Sequence, residues 1–457
     1  MSEKIQVTFW GGVGTVTGAN FLLEVGEKKL LVDCGLLQGT SNSKEENESD
    51  FQYDPKTIHY LFVTHAHMDH IGKIPKLVKD GFSGVIYSTP ETKELAHIML
   101  QDALKVMEMN ARENVTDMPD RPLYGVEDYH RAFELWKTIP YHTEAKIDEK
   151  ISVYLKDAGH ILGSSIYEFM IHGKRIVFTG DSGNSPAPLL NDTEKITEAD
   201  YMIVDSVYGD RNHEDKDERD ARFKQIVTES IQAGGAVIIP AFSLERTQVI
   251  LYELNNLIEE NKIPKVPVFL DSPLGSKVTD IYSRHAKNFN TEVRGEIKGG
   301  DNIFEFPKLT ITHGRRDSQE IANTPNPKII IAGSGMSSGG RVLWHEMQFL
   351  PDPKSTILLM GYQALGTLGR DIQNKPKEVE IKGNIIPVKA RIEMISGYSS
   401  HKDSDGIVDM VGNSAESLKK VFVVLGEPKS AVFLSQRIRD EVGVEAVVPE
   451  RGVPYEL

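Results

Sequence analysis

The segment Val63-Thr64-His65-Ala66-His67-Met68-Asp69-His70 constrains this chain more than any other. Three imidazoles and a carboxylate fall within six positions, in the order H-x-H-x-D-H. Leu61-Phe62-Val63 before them reads as a short buried strand, apolar and partly aromatic. Alternate residues of a strand share a face, so His65 and His67 are expected to leave its end pointing the same way. Asp69 and His70 follow in the turn toward Ile71-Gly72-Lys73. Neutral imidazoles with a carboxylate are the donors zinc prefers. Two neighbouring pairs in so short a span point to two adjacent ions rather than one closed structural site. A lone histidine is ordinarily a packed or solvated residue; three at this spacing, beside an aspartate at a strand end, are not accounted for that way.

At 457 residues the chain exceeds the size at which one core keeps growing, so two domains are expected. A 39% apolar composition supplies full cores. The one cysteine, Cys34, excludes an internal disulfide framework and fits a reducing compartment. No run approaches the length of a membrane span, and no signal-type segment follows the first residues, so a soluble, cytoplasmic protein without a membrane partner is expected. The net charge of −15 argues against a protein that coats nucleic acid non-specifically. It leaves room for a nuclease, whose metals and local basic groups supply the attraction. Part of the acid lies in Ser43–Asp50, which lacks an apolar period and reads as an exposed polar loop.

The chain opens with the alternating strand Ile5–Trp10, a Gly-rich turn over Gly11–Gly18, and strands at Asn20–Val25 and Lys29–Cys34. Such close spacing without helices argues an antiparallel sheet. The turn lacks the Lys-Ser/Thr ending of a P-loop and the strand–turn–helix setting of a dinucleotide fingerprint, so neither is assigned. Asp33 closes its strand before Cys34-Gly35. It is a candidate to orient a ligand histidine through the ring N–H, with a turn-forming Asp-x-Gly the equal alternative. Residues 92–114 and the stretch from Leu123 to Trp136 are helical by composition. His160, in the Gly-rich turn Asp157–Ser165, and Asp181, after the strand Lys174–Thr179, each follow a strand end, as His65 and His67 do. They join the first four as fifth and sixth ligands.

Tyr201–Val204 repeats the pattern of a buried strand ending in an acid, Asp205. From here strands alternate with helices, the mark of a parallel α/β unit. Two Gly-rich turns, Gly333–Arg341 and Gly366–Arg370, stand at strand C-terminal ends, where such sheets bind ligands. Ser334, Gly335, Arg341, Gly369 and Arg370 are the candidate phosphate-backbone contacts, through free N–H groups and two guanidiniums. Ordinary strand–helix turns are the competing reading. Ile392–Asp403 gives a further strand leading to His401, and no histidine follows it.

The assembled set resembles the metallo-β-lactamase fold and, within it, the β-CASP ribonucleases. These include the mRNA 3′-end cleavage factor, RNase J and shorter bacterial and archaeal members. The H-x-H-x-D-H segment, Gly159-His160 and Gly180-Asp181 look like the superfamily's metal motifs. Asp205 with Ser206-Val207-Tyr208-Gly209 looks like the β-CASP acidic motif, and Ser399–Asp403 resembles its Ser-Ala-His-x-Asp motif. Pro240-Ala241-Phe242, Arg246-Thr247-Gln248, Asp271-Ser272-Pro273 and the two Gly-rich turns match as well. One departure stands out. The family usually closes with a histidine in Val-His-Gly-Glu, a ligand to one zinc, and here the segment is Val424-Leu425-Gly426-Glu427.

The resemblance implies an α/β protein: a metallo-β-lactamase αββα sandwich made of residues 1–205 and 385–457, with a β-CASP α/β domain inserted at 206–384. It implies two zinc ions. His65, His67 and His160 would hold one, Asp69 and His70 the other, with Asp181 bridging. The second would be weaker for want of the histidine at 425. Asp69, His401 and Asp205 are the implied catalytic residues, His401 as general acid and Asp205 positioning its ring. The implied activity is endonucleolytic hydrolysis of single-stranded RNA to 5′-phosphate and 3′-hydroxyl ends, with 5′–3′ exonuclease action as an added capacity. Two other functions compete. Hydrolysis of a small ester or lactam is disfavoured by the large inserted domain, and a non-catalytic RNA-binding subunit by retention of the six metal residues and His401. A homodimer is in keeping with the family but is not written in any residue pattern.

Overall fold

The computed structural model describes residues 4–39, 42–113 and 122–457. The chain divides into two compact units. The first comprises Met1–Ala187, Asp192–Asn212 and His401–Leu457; the second comprises Pro188–Asn191 and His213–Ser400.

Two seven-stranded sheets make up the first unit. In one, Ile5–Phe9, Phe21–Val25 and Lys28–Val32 pair antiparallel, as their close spacing predicts. Tyr60–Phe62, Val85–Ser88 and Trp136–Thr138 then add in parallel. Pro454–Glu456 closes the other edge against Ile5–Phe9. The second sheet runs, in spatial order, Ala446–Val447, Lys420–Val423, Tyr201–Val204, Lys174–Phe178, Ser165–Ile171, Ile151–Asp157 and Glu144–Lys146. Its central strands are apolar on both sides, and alternation sends their residues to two different cores. Phe178, Ile203 and Phe422 join Phe9, Phe21 and Phe62 between the sheets. Val177, Met202, Val204, Val421 and Val423 instead meet Ile407, Val411, Ala431 and Leu434 of the helices Ser404–Gly412 and Pro428–Arg437. The helices Pro90–Glu113 and Val126–Glu134 pack on each other, and the former on strand Trp136–Thr138. The result is the expected αββα layering. The helix expected over 92–114 begins two residues earlier, and residue 114 lies outside the described residues.

Ser43–Asp50 is not simply a loop: Ser43–Glu48 is helical. No apolar stripe is needed, because Asn47 anchors the helix by bonding the backbone of Leu37 through both amide atoms, at 2.8 and 2.9 Å.

The second unit is built on a six-stranded parallel sheet in the order Leu309–Ile311, Val268–Asp271, Lys328–Ala332, Ala236–Pro240, Thr356–Met360, Arg391–Ile395. Crossover helices such as Arg246–Glu259, between Ala236–Pro240 and Val268–Asp271, supply the parallel connections, and the helix Lys216–Ala233 leads into the first strand. Asp215 caps that helix by accepting from Glu218 N, and Gly234 ends it in the left-handed conformation (φ 73°). Residues 385–400, expected with the first unit, include the strand Arg391–Ile395, which pairs with Thr356–Met360 and falls in the second.

A buried carboxylate pins the C-terminal edge of this sheet. Asp271 accepts from Arg341 Nη1 (2.6 Å), the His345 ring (2.7 Å), Ser318 Oγ (2.6 Å) and Thr312 Oγ1 (2.6 Å). Burial opposes its ionisation, but the His345, Ser318, Thr312 and Arg341 bonds outweigh that and hold the carboxyl well below the usual range. Asp271→Ala strands these donors and is expected to cost about 3–5 kcal/mol in denaturant unfolding. A carboxyl lowered on folding stabilises above its unfolded value and loses that contribution as pH falls through the folded one. The stability gap between parent and variant should therefore narrow in strong acid. An equal gap at neutral and acid pH would show that the charge is not the source.

Candidate metal and active centre

The strand Tyr60–Phe62 ends three residues before the first histidine, and Val63 N still bonds Tyr87 O. His65 and His67 thus sit in the extended segment that follows, with His67 at the entrance to the single turn of helix Met68–Ile71. Their ligand atoms nevertheless converge: His65 Nε2 lies 3.0 Å from His67 Nδ1. His160 Nε2 is 3.2 Å from the same Nδ1. Asp181 Oδ2 stands 3.5 Å from His65 Nε2 and 3.5 Å from His160 Nε2. A tetrahedral cation about 2.0–2.1 Å from each ligand sets its donors roughly 3.3 Å apart. The donor set and its spacing therefore fit zinc.

The ring tautomers are fixed from behind. Thr64 Oγ1 donates to Asp33 Oδ2 (2.8 Å) and so receives the proton of His65 Nδ1 (3.0 Å), which leaves His65 Nε2 a lone pair. Burial depresses the His65 imidazole well below its ordinary value and keeps it neutral. Asp33 also accepts from His70 Nδ1 (2.8 Å) and from Thr64 N (2.8 Å). It adopts a left-handed backbone (φ 61°), so it shapes the turn and orients the histidine at once. His70 Nε2 is fully buried with no hydrogen-bond partner among the described residues, 3.4 Å from Asp181 Oδ1 and 3.8 Å from Asp69 Oδ2. Burial opposes a charged His70, yet Asp181, Asp33 and Asp69 raise its imidazole well above the ordinary value; a cation at Nε2 between the two carboxylates would take the place of that proton.

Asp181, Asp205 and His401 form another group of converging donors. His401 is bridged to Gly183 and held by Lys402 N on Ser182 O (2.8 Å). Its Nδ1 faces Asp205 Oδ2 at 3.6 Å and Asp181 Oδ2 at 3.9 Å. Asp205 is fully buried, with Ser182 N on its other oxygen (3.1 Å). Burial works against a charged His401, yet Asp205, Asp181 and Asp69 outweigh it and raise the imidazole above its ordinary value. Cys34 sits beside the centre but is inert, its thiol pushed up by burial to about 12.

Leu425 is buried in the inter-sheet core. Its backbone is left-handed (φ 51°), unusual for a branched apolar residue. Leu425 N bonds Gly12 O (2.7 Å), and a Cβ on Gly12 would lie 2.8 Å from Leu425 Cδ2.

Family models match along the chain: the metallo-β-lactamase superfamily domain at residues 22–204, the β-CASP domain at 247–372, and the Zn-dependent metallo-hydrolase RNA specificity domain at 385–449. A ribonuclease of Thermus thermophilus is 33% identical over 432 residues, spanning 94% of this chain and 95% of that protein. This chain is a β-CASP member of the metallo-β-lactamase superfamily. The transcription termination factor FttA of Methanosarcina mazei is 32% identical to this β-CASP chain, over 97% of it and 70% of the factor. An RNase J-like protein of Methanocaldococcus jannaschii is 31% identical, over 98% and 99% of the two chains. Among solved structures, a protein of unknown function from Enterococcus faecalis covers 99% of this chain, with a TM-score of 0.55 at 13% identity, a likeness of fold alone.

In the second unit of this β-CASP chain the two Gly-rich turns meet: Gly369 N donates to Met336 O (3.0 Å), and Gln363 Nε2 to Gly335 O (3.1 Å). The free amides expected there are thus partly used within the turns. Ser334 N bonds Gly339 O, and Ser334 Oγ accepts from Ser338 N. Arg341 is drawn to Asp271, and Arg370 lies over the Tyr362 ring at 5.8 Å. Sequence reasoning missed Thr64 and Ser182 as supports of the centre. Thr64's place between strand and first histidine was the available signal.

Proposed function

We propose that this chain is a zinc-dependent endoribonuclease hydrolysing single-stranded RNA to 5′-phosphate and 3′-hydroxyl ends. The observation that carries this reading is the convergence of four ligand atoms, each 3.0–3.5 Å from two of the others and all within 4.8 Å, beside the Asp205–His401 pair. The ribonuclease and RNase J-like names of relatives at 33% and 31% identity give it its substrate. His65, His67, His160 and Asp181 would hold the first zinc; Asp69, His70 and the other oxygen of Asp181 would hold the second. Bound there, the pair supplies a nucleophile at neutral pH and neutralises charge on the phosphoryl oxygens. His401 keeps its proton through the carboxylates around it and passes it to the leaving 3′-oxygen. Asp205, fixed by Ser182 N–H, orients the ring; Asp33 and Thr64 hold His70 and His65 with their Nε2 lone pairs forward.

The test is zinc content and cleavage of end-labelled RNA on one preparation. Internal cuts leaving 5′-phosphates are expected. Zinc-loaded protein that leaves RNA intact but opens an ester or lactam would reverse the reading.

A second prediction concerns Leu425. The first group offers three imidazoles and a carboxylate, whereas the second offers one imidazole and two carboxylates, so the second zinc is expected to bind more weakly. Leu425→His should strengthen it, because the left-handed backbone at 425 is one that histidine tolerates better than leucine. Lost core packing opposes the gain. Zinc titration under mild chelation, with folding followed by circular dichroism, measures both. Two equally tight sites in the parent would mean that another residue already replaces the missing ligand.

A further inference from the structure

The Gly-rich turn over Gly11–Gly18 is not a P-loop, yet it walls a cavity of about 220 Å³ in the first unit. Trp10, Phe51 and Tyr53 line it together with Lys73. Phe51 and Tyr53 are 5.4 Å apart between ring centroids and inclined by 31°, and Trp10 lies 6.5 Å from Tyr53. The floor adjoins the metal motif: a Cβ on Gly35, a lining residue, would lie 1.5 Å from Asp69 O, and Ala19 N bonds that same oxygen (2.9 Å).

Two polar groups on these walls lack partners. Among the described residues Lys73 Nζ makes no ion pair and no hydrogen bond; it lies over the Phe51 ring at 5.2 Å, with Glu46 acting on it only at longer range. Burial holds its ammonium below the ordinary value, a cost that a bound anion would relieve. Trp10 Nε1–H is buried without an acceptor among the described residues. The other charges are largely spent. Arg451 is paired with Glu46 at 2.7 and 3.1 Å, and Lys76 with Asp80 at 2.6 Å. Asp50 is exposed at the rim. One uncompensated cation and an acid at the rim suit one phosphate and disfavour a di- or triphosphate.

We propose that this cavity is a nucleotide subsite that takes one planar base among Trp10, Phe51 and Tyr53 and one phosphate on Lys73. Aromatic walls accept any base because every base offers a π-face. The volume is below the roughly 300–1,000 Å³ of sites for drug-sized ligands and suits a single base. The wall at Gly35 backs onto the Asp69 main chain, so the cavity lies behind the metal motif and would hold a nucleotide of the substrate away from the scissile bond; this part rests on the ribonuclease reading.

The test uses the full chain, a labelled phosphorothioate oligoadenylate followed by fluorescence anisotropy over a salt series, and adenosine 5′-monophosphate followed by calorimetry. Lys73→Gln is expected to weaken oligomer binding and lower the salt slope by about one, while Lys73→Arg keeps both near the parent. Phe51→Leu should weaken binding by roughly 5- to 100-fold with the slope unchanged. If only monophosphate binding responds to the variants, the subsite stands and its ligand is a free nucleotide. Parental affinity and slope in Lys73→Gln and Phe51→Leu, with either ligand, overturn the subsite. Should the parent cut RNA while both variants bind like it, the subsite alone falls. Should the parent bind the monophosphate in this cavity and cut no RNA, the ribonuclease reading falls and the subsite survives.

Discussion

His65→Ala and Asp181→Ala are each expected to lose bound zinc and RNA cleavage together. Each removes one of the four donors that converge within 4.8 Å of one another. Asp181→Ala should be the more severe. It also strips the carboxylate facing the buried His70 Nε2 at 3.4 Å, so both cation positions lose a ligand. Losing an orienting partner typically costs about 10–100-fold in metal affinity, which is the range expected of Asp33→Ala. A lost ligand should exceed it. Zinc content and cleavage rates on the same three variants give the ordering. A zinc-depleted variant that still cleaves at the parental rate would place the chemistry elsewhere.

His401→Ala should retain zinc and slow cleavage by about 10²–10⁴-fold, the usual worth of a positioned proton donor. The ring adjoins the four-donor group, 3.9 Å from Asp181 Oδ2, but faces Asp205 more closely at 3.6 Å. That distance leaves a competing arrangement, in which Asp181, Asp205 and His401 together hold a cation. Zinc analysis of the variant decides between them. Retained metal with slow cleavage makes His401 a proton donor, whereas loss of one zinc makes it a ligand that compensates for Leu425.

Much of the centre was legible because its signals are local. The H-x-H-x-D-H spacing and the strand-end positions of His160 and Asp181 depend on a few neighbouring residues. The parallel sheet of the second unit was equally plain, since strands such as Ala236–Pro240 and Lys328–Ala332 are buried on both faces and read as unbroken apolar runs. What stayed hidden depends on distant partners. The Gly-rich turn marks Arg341 as a phosphate contact, but Asp271, seventy positions away, holds it in an ion pair. Asp33 looked like either a turn residue or a histidine partner, and its backbone angle and bonds make it both. The helix at Ser43–Glu48 has no periodicity to betray it, because one buried amide on Leu37 anchors it.

The division of the first unit into separated segments bears on how the chain is made. Pro454–Glu456 pairs with Ile5–Phe9, and Lys420–Val423 pairs with Tyr201–Val204, across the whole second unit in sequence. Contacts of such long separation form late. The second unit can fold as its residues emerge, while the N-terminal strands wait for partners still untranslated. His401, the proposed proton donor, belongs to that last segment. A growing chain therefore carries the candidate metal ligands without the proposed proton donor until residues 401–457 are made. If the chain cuts RNA as proposed, the half-built form lacks its proton donor beside the message that encodes it.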